Sequence, residues 1–408
     1  MQSNIYQFNN TVMKHFFLFC FIGCICIPVF SQNDTAKTDT FLFTPIKELK
    51  ITPVKNQSSS GTCWSFSGIG FIESELLRMG KGEYDLSEMF VVSKNYSDKA
   101  QKYVRMHGET NFAGGGSFAD VLDCIKYYGI VPEQAQSGLN YGDTLHRHGE
   151  LDQFLKAYID AVIKNPNRKL SPAWFNGFNG ILNAYLGKCP ETFTYNGKQY
   201  TPQSFTKFLG INPDDYVSIT SFTHHPFYTA FPIEVQDNWR WAYSYNVPMN
   251  EMIQIIDNSI DKGYTVAWAS DISERGFTRK GIAVVPDTKA NEGPGSDQAH
   301  WLGLTPAERE IRISNLTGPV PEKTITQEMR QEGFDNYETT DDHGMLIYGT
   351  AQDQNGTRYY MIKNSWGVDN TYKGTWYISR PFVQYKTLSI VVHKDVLSKE
   401  LKNKLGIK

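Results

Sequence analysis

Cysteine is scarce in this sequence, six among 408 residues, and three of the six (Cys20, Cys24 and Cys26) fall close to the N-terminus. There is no CxxC pair and no HExxH helix, which removes the usual zinc frameworks. Charge of one sign is missing as well. With 40 basic residues against 43 acidic ones, nothing marks the chain for nucleic acid or an anionic membrane. The triple glycine at 114–116 lacks the Lys-Ser/Thr ending and the preceding strand of a phosphate loop. No internal repeat is visible. Aromatic residues, in contrast, make up 14% and are spread along the whole length, which favours a packed globular chain rich in loops and strands over a disordered one.

One apolar run stands apart from the rest. From Met13, a plausible true start, Lys14 and His15 precede an apolar stretch from Phe16 to Phe30, and the VFS before Gln32 has the small-residue spacing of a cleavage site. The run is short for a membrane span and reads as a secretory signal over residues 1–31, followed by a polar leader over 32–45. The protein is therefore expected to be exported, periplasmic or extracellular. FIGC resembles a lipobox, so soluble export and a lipid anchor at Cys24 both stay open. Export leaves Cys63, Cys124 and Cys189, an odd number that requires at least one free thiol. Cys124 lies on the apolar face of a helix with Val121, Leu122 and Ile125. It either pairs with Cys189 or stays reduced.

The spacing of Phe66, Ile69, Ile72, Leu76 and Met79 predicts a helix over 63–79, stopped by Gly80 and Gly82. Gly68 and Gly70 inside it are expected to permit close packing. Further helices open near Ser87 and Ser117. The pattern stays helical over about 150–210, where Asn196-Gly197 marks a hairpin turn. Beyond 215 the runs KGYTVAWASDI, GMLIYGTA, TRYYMIKNSW, GTWYISR and KTLSIVVHK read as strands, and 286–325 reads as a long Gly/Pro-rich loop. The class is α+β, a helical half followed by a strand-rich half with room for a cleft between them.

Chemistry concentrates in a few places. Cys63 stands where a helix begins, so unpaired amides and the positive end of the helix dipole would favour its thiolate, the nucleophilic form. His343 opens a strand. Asn364 follows a strand, a turn and a second strand later, so antiparallel pairing places a base beside an amide able to orient it. Trp366 is positioned to cover that pair, and Gln57 precedes Cys63 by a short loop that can bring its amide to an oxyanion. His146, His148, His224 and His225 have the chemistry of metal ligands but no accompanying motif. They read as surface or turn histidines, with no metal expected. Asp341 and Asp342 read as solvated loop charges.

VKNQSSSGTCWSFS, LSEMF, the GGGSF run, DDHGMLIYG and IKNSWG together resemble the papain-like cysteine peptidases, and more narrowly their bleomycin hydrolase and aminopeptidase C branch. The similarity spans about residues 46–397. It implies a two-lobe fold, with a helical lobe carrying Cys63, a barrel-like lobe carrying His343 and Asn364, and a large helical insertion at about 150–210. It also implies Cys63 as nucleophile, His343 as base and acid, Asn364 as its orienter and Gln57 in the oxyanion hole. Gly115 and Gly116, with Trp366, fall at substrate-binding positions. No cofactor is implied. The branch trims free amino termini, so an aminopeptidase acting on peptides is expected, and its hollow hexamers make a homo-oligomer an expectation too. Two features depart from the branch. It is typically intracellular, and its C-terminal tail reaches into the cleft, whereas here 398–408 is a short tail. An endopeptidase with an open cleft is therefore the alternative, followed by an inactive peptide-binding homologue or a cysteine acyltransferase.

Overall fold

In this computed structural model, which describes residues 40–288, 301 and 303–408, the apolar spacing from Phe66 onward forms the helix α1 (Cys63–Arg78), buried from Trp64 to Leu76. The signal-like run, Cys20, Cys24, Cys26 and the leader up to residue 39 lie outside the described residues. Helix α2 (Glu88–Arg105) starts at Ser87, whose hydroxyl accepts the Phe90 N–H. Helix α3 (Phe118–Tyr128) starts at Ser117 in a reciprocal capping box with Asp120. A Cβ on Gly68 would lie 2.7 Å from Val121 Cγ2, so the glycine lets α1 and α3 touch. Gly70 has only ordinary clearance, 3.5 Å from Lys363 Nζ, and plays no such part.

The stretch 150–210 folds as α4 (Gly149–Ile163), α5 (Ala173–Leu186) and α6 (Pro202–Leu209). Leu155, Ile159, Phe178, Leu182 and Phe205 continue the core begun by α1–α3, each worth roughly 1.5–3 kcal/mol of apolar burial. The expected hairpin sits between α5 and α6. Its strands follow β1 (Thr44–Glu48) in the chain as β2 (Phe193–Tyr195) and β3 (Lys198–Tyr200). Asn196 and Gly197 between them both have left-handed φ, 47° and 74°, as a tight two-residue turn requires.

The strand-rich half supplies β4 (Tyr216–Thr220), β5 (Ala230–Pro232), β6 (Tyr243–Asn246), β7 (Val266–Ser270), β8 (Phe277–Thr278), β9 (Ile282–Ala283), β10 (His343–Gln352), β11 (Arg358–Lys363), β12 (Thr375–Ser379) and β13 (Thr387–His393). They form an 11-stranded sheet in the order β5-β6-β4-β13-β7-β10-β11-β12-β9-β8, with β1 paired to β10. Period-two alternation splits the two faces. Ala267, Leu346 and Val391 join the helical core, while Trp268, Met345, Ile347 and Ile390 face a second core. That second core is closed by Ile253 and Ile256 of α7 (Met249–Asp261).

The sequence reading missed helices in this half. The stretch at 286–325, read as loop, contains α8 (Pro306–Ser314), marked by signals that composition obscured: Thr305 caps it, Glu308 returns the bond, and Pro306 stands at its first turn. Then come α9 (Gln327–Asp335), α10 (Arg380–Lys386) and α11 (Lys399–Leu405). Helix α11 buries Leu401 and Leu405 in the second core. Cys124 and Cys189 are both free thiols.

Candidate active site

Cys63 occupies the first position of α1. The hydroxyl of the capping residue Thr62 is turned to Ser60 Oγ at 2.5 Å, so it gives the helix no side-chain cap, and the Trp64 amide reaches the Cys63 sulfur instead. A second amide reaches that sulfur from Gly344 on β10. Gly344 can approach because it has no side chain: a Cβ there would lie 2.7 Å from Ser67 Oγ and 3.3 Å from Trp64 Cα. Helix start and strand start thus meet at the thiol. The helix start does not by itself favour the thiolate, however. Desolvation, reinforced by the Asp341 and Asp237 carboxylates, outweighs the two amides and pushes the thiol up to about 12.

His343 and Asn364 come together. In the antiparallel β10–β11 pair Leu346 faces Lys363, and beyond that register His343 Nε2 lies 2.8 Å from Asn364 Oδ1. The Ser365 N–H donates to the same oxygen at 2.7 Å, so Oδ1 is an acceptor and the imidazole donates from Nε2. The Nδ1 lone pair is left as the basic position. Trp366 packs over the ring with centroids 4.8 Å apart, shielding the bond. His343 is only 5% exposed, and desolvation pushes it down to about 4 despite the Asn364 bond.

Gln57 is buried and tied to the same strand end. Its backbone N–H donates to Ser365 O at 2.8 Å, its Oε1 accepts from Ser365 Oγ at 2.5 Å, and Nε2 donates to Ser60 O at 2.9 Å. One amide hydrogen of the two remains. The loop is anchored beneath by an ion cluster in which Lys55 meets Glu88 at 2.7 Å and Glu73 at 3.4 Å. Glu73 also accepts from the Thr52 hydroxyl, and Lys363, next to Asn364, donates to Thr52 Oγ1 at 2.8 Å.

Cys63 and His343 border one cavity of about 720 Å³ counted to its open mouth. Gly116, Ile233, Val235, Tyr243 and Leu388 give it an apolar wall, while Asp237, Asp341 and Asp342 give it carboxylates. A Cβ on Gly115 would land in the Asp237 carboxylate, and one on Gly116 would lie 2.8 Å from the Trp64 indole, so the glycine run lies flat against both. Gln57 and Trp366 do not line this cavity. Trp366 borders a separate open depression with Asn56 and Asn370. Asp341 and Asp342 are exposed, as expected of loop charges, and they also border the cavity. Desolvation, then the like charges of Asp237 and Asp342, pushes Asp341 up to about 7.

The other histidines lie elsewhere. His148 is 1% exposed, not a surface residue, and desolvation pushes it down to about 4. It sits under the Gln57–Cys63 loop, its amide donating to Ser59 O at 3.2 Å, with His146 beside it. His224 and His225 are on the surface and do not border the cavity.

A family model described as the Peptidase C1-like family matches residues 27–290 and 323–407. The chain belongs to that family. This peptidase, of the cysteine type, is 23% identical to aminopeptidase G of Lactobacillus delbrueckii subsp. lactis, with 86% of this chain and 83% of the relative covered. It is 22% identical to aminopeptidase C of Streptococcus thermophilus (85% and 81% covered) and 21% identical to mitochondrial cysteine proteinase 1 of Saccharomyces cerevisiae (90% and 80%). The crystal structure of PepW from Lactobacillus rhamnosis superposes with a TM-score of 0.66 at 20% identity, covering 89% of this peptidase and 84% of that chain. The likeness shows the fold, and the papain-like α+β class expected from the sequence stands. Asp237 and Ser365 went unread in the peptidase's sequence. Ser365 lies inside the NSWG motif, where the acceptor on Gln57 gives it a part to play. Asp237 carries no local signal at all.

Proposed function

We propose that this peptidase hydrolyses peptide bonds through Cys63, His343, Asn364 and Gln57, and that it trims free amino termini. The Cys63 sulfur attacks the scissile carbonyl while its proton passes to Nδ1 of His343, which then protonates the leaving amine. The same imidazole next activates the water that opens the thioester. Asn364 holds the ring and its tautomer, and the free Gln57 N–H with the Cys63 amide receives the oxyanion. The observation that carries this reading is the orientation of His343 by Asn364 on a strand whose next amide, that of Gly344, reaches the Cys63 sulfur.

The aminopeptidase reading draws support from relatives bearing that name and from the charge of the cavity. Asp341 has no ion-pair or hydrogen-bond partner among the described residues, and Asp237 is bonded only to Asn111 Nδ2, at 3.1 Å. Carboxylates held near one another, with the one nearby ammonium, that of Lys99, turned to the Ala113 and Gly115 carbonyls, suit a substrate that brings its own ammonium. One observation favours an endopeptidase instead: no residue of 398–408 lines the cavity, since α11 is moored in the second core.

A pair of fluorogenic peptides, one with a free amino terminus and one blocked, each assayed with and without a thiol alkylator, tests the reading. Alkylator-sensitive cleavage of the free peptide alone is expected. Cleavage of the blocked peptide makes the protein an endopeptidase, and cleavage of neither removes the catalytic reading. Export belongs to the same proposal and is supported by the apolar run Phe16–Phe30. N-terminal sequencing of secreted protein is expected to begin at Gln32, or at a lipidated Cys24.

A further inference from the structure

On the surface beyond the cavity wall, three side chains from two chain segments converge. His224 Nε2 and His225 Nε2 each lie 3.1 Å from one oxygen of the Glu234 carboxylate, and the three ligand atoms are all within 4.8 Å of one another. The sequence offered the two histidines without a third ligand. The fold supplies it, because the segment after the histidines runs out through β5 and brings Glu234 back beside them. We propose that His224, His225 and Glu234 bind a divalent transition metal of the zinc class.

Three observations carry the proposal. The imidazoles are held in place by aromatic faces: His225 stacks on Phe231 with centroids 4.1 Å apart, and His224 on Phe334 at 5.7 Å and 16°. Gln331 of α9 sets its Oε1 3.3 Å from His224 Nδ1, and an Nδ1–H donating there is the outer bond that orients a ligand imidazole and leaves its Nε2 for the ion. Spacing also fits. Ligands at zinc bond lengths of about 2.0–2.1 Å on a tetrahedron are about 3.4 Å apart, close to the two 3.1 Å separations found. Two imidazoles and one carboxylate form a donor set that zinc accepts, with water completing the coordination.

The site also has a mechanical position. Glu234 lies between Ile233 and Val235, whose side chains wall the cavity beside Cys63. The bound ion fastens that strap to the 224–225 turn and, through Gln331, to α9. It acts as a clamp on the substrate wall and takes no part in the chemistry.

The test uses purified protein whose Cys63 has been alkylated, so that the thiol does not compete for metal. Zinc titrated by calorimetry is expected to show one equivalent, and crystals soaked in zinc an anomalous peak between the two imidazoles and Glu234. The double variant His224→Gln/His225→Gln is expected to lose that equivalent, and Gln331→Leu to weaken it by about 10- to 100-fold. Amide exchange over 231–238 is expected to slow when zinc is bound. No zinc equivalent in the alkylated protein, or one that survives the double substitution, overturns the site. Bound zinc with unchanged exchange overturns the clamp. If the double variant fails to fold, the anomalous map of the wild-type crystal decides.

Discussion

Replacing Asp341 by Asn separates two effects that the same carboxylate has on the two halves of the reaction. In the wild type, desolvation and the neighbouring Asp237 and Asp342 charges push this carboxyl up to about 7, so it is neutral below that pH and charged above it. When charged it opposes ionisation of Cys63. Asp341→Asn should therefore speed alkylation of Cys63 by iodoacetamide at pH 8 and leave it unchanged at pH 5.5, where the wild-type carboxyl is already protonated. Cleavage of a free-amino peptide should move the other way. A hydrogen bond to a charged group contributes about 1.5–3 kcal/mol, and 1.4 kcal/mol is tenfold, so kcat/KM at pH 8 should fall by about 10- to 100-fold while a blocked peptide is spared. Stability supplies an internal check on the sign. A carboxyl raised in the fold binds its proton longer than it does in the unfolded chain, so the wild type loses stability as pH rises from the ordinary carboxylate range through about 7. The variant escapes that loss and should melt higher than wild type at pH 8 but not at pH 4. Asp341 is exposed to the cavity, so solvent screening limits the difference to about 1 kcal/mol. Equal losses on free and blocked peptides, or slower alkylation at pH 8, would refute the reasoning.

Cys63→Ala should abolish peptide cleavage while leaving the melting temperature nearly unchanged, since the sulfur's partners are two backbone amides; residual turnover above the buffer rate would remove Cys63 as nucleophile. Gln57→Ala should lower kcat by about 10²–10³ with a smaller change in KM, the loss expected for one oxyanion donor, read by steady-state kinetics at saturating substrate. Glu73→Ala leaves Lys55, the Thr52 hydroxyl and the Leu86 amide without their shared acceptor, and should cost about 3–5 kcal/mol in urea denaturation.

The parts of the fold that the sequence announced are those with local signals. Ser87 and Ser117 begin helices because their side chains serve free amides, and Asn196-Gly197 turns because both residues tolerate left-handed backbone. His343 and Asn364 were legible as partners because two antiparallel strands and one turn suffice to join them. Asp237 was not. Its place beside Gly115 depends on a strap brought across from the strand-rich half, a long-range contact that no window of sequence contains. The same holds for Glu234, and for His148, buried under the Cys63 loop by the Ser59–Arg147 bridge. Asp341 and Asp342 are the exposed loop charges that the sequence suggests. They become cavity walls because β10 begins immediately after them and is clamped against α1 at Gly344.

The position of Cys63 at a helix start invited the inference that the dipole alone makes the thiolate, and magnitudes decide against it. A helix N-terminus contributes about 0.3–1 kcal/mol, and about 2 kcal/mol in partly buried geometries. Moving the thiol from 9.0 to about 12 disfavours its anion by about 4 kcal/mol. Burial opposes each ion taken alone, pushing the thiol up and the imidazole down. Proton transfer between them makes both ions at once, and their mutual attraction in a poorly solvated site offsets part of the desolvation that each would bear singly. The carboxylates then set the timing. Asp341 and Asp237 add to the burial that disfavours the thiolate, and a substrate ammonium resting between them offsets their share. On the aminopeptidase reading, recognition of the free terminus and activation of the nucleophile are therefore one electrostatic event, and a blocked peptide forfeits both.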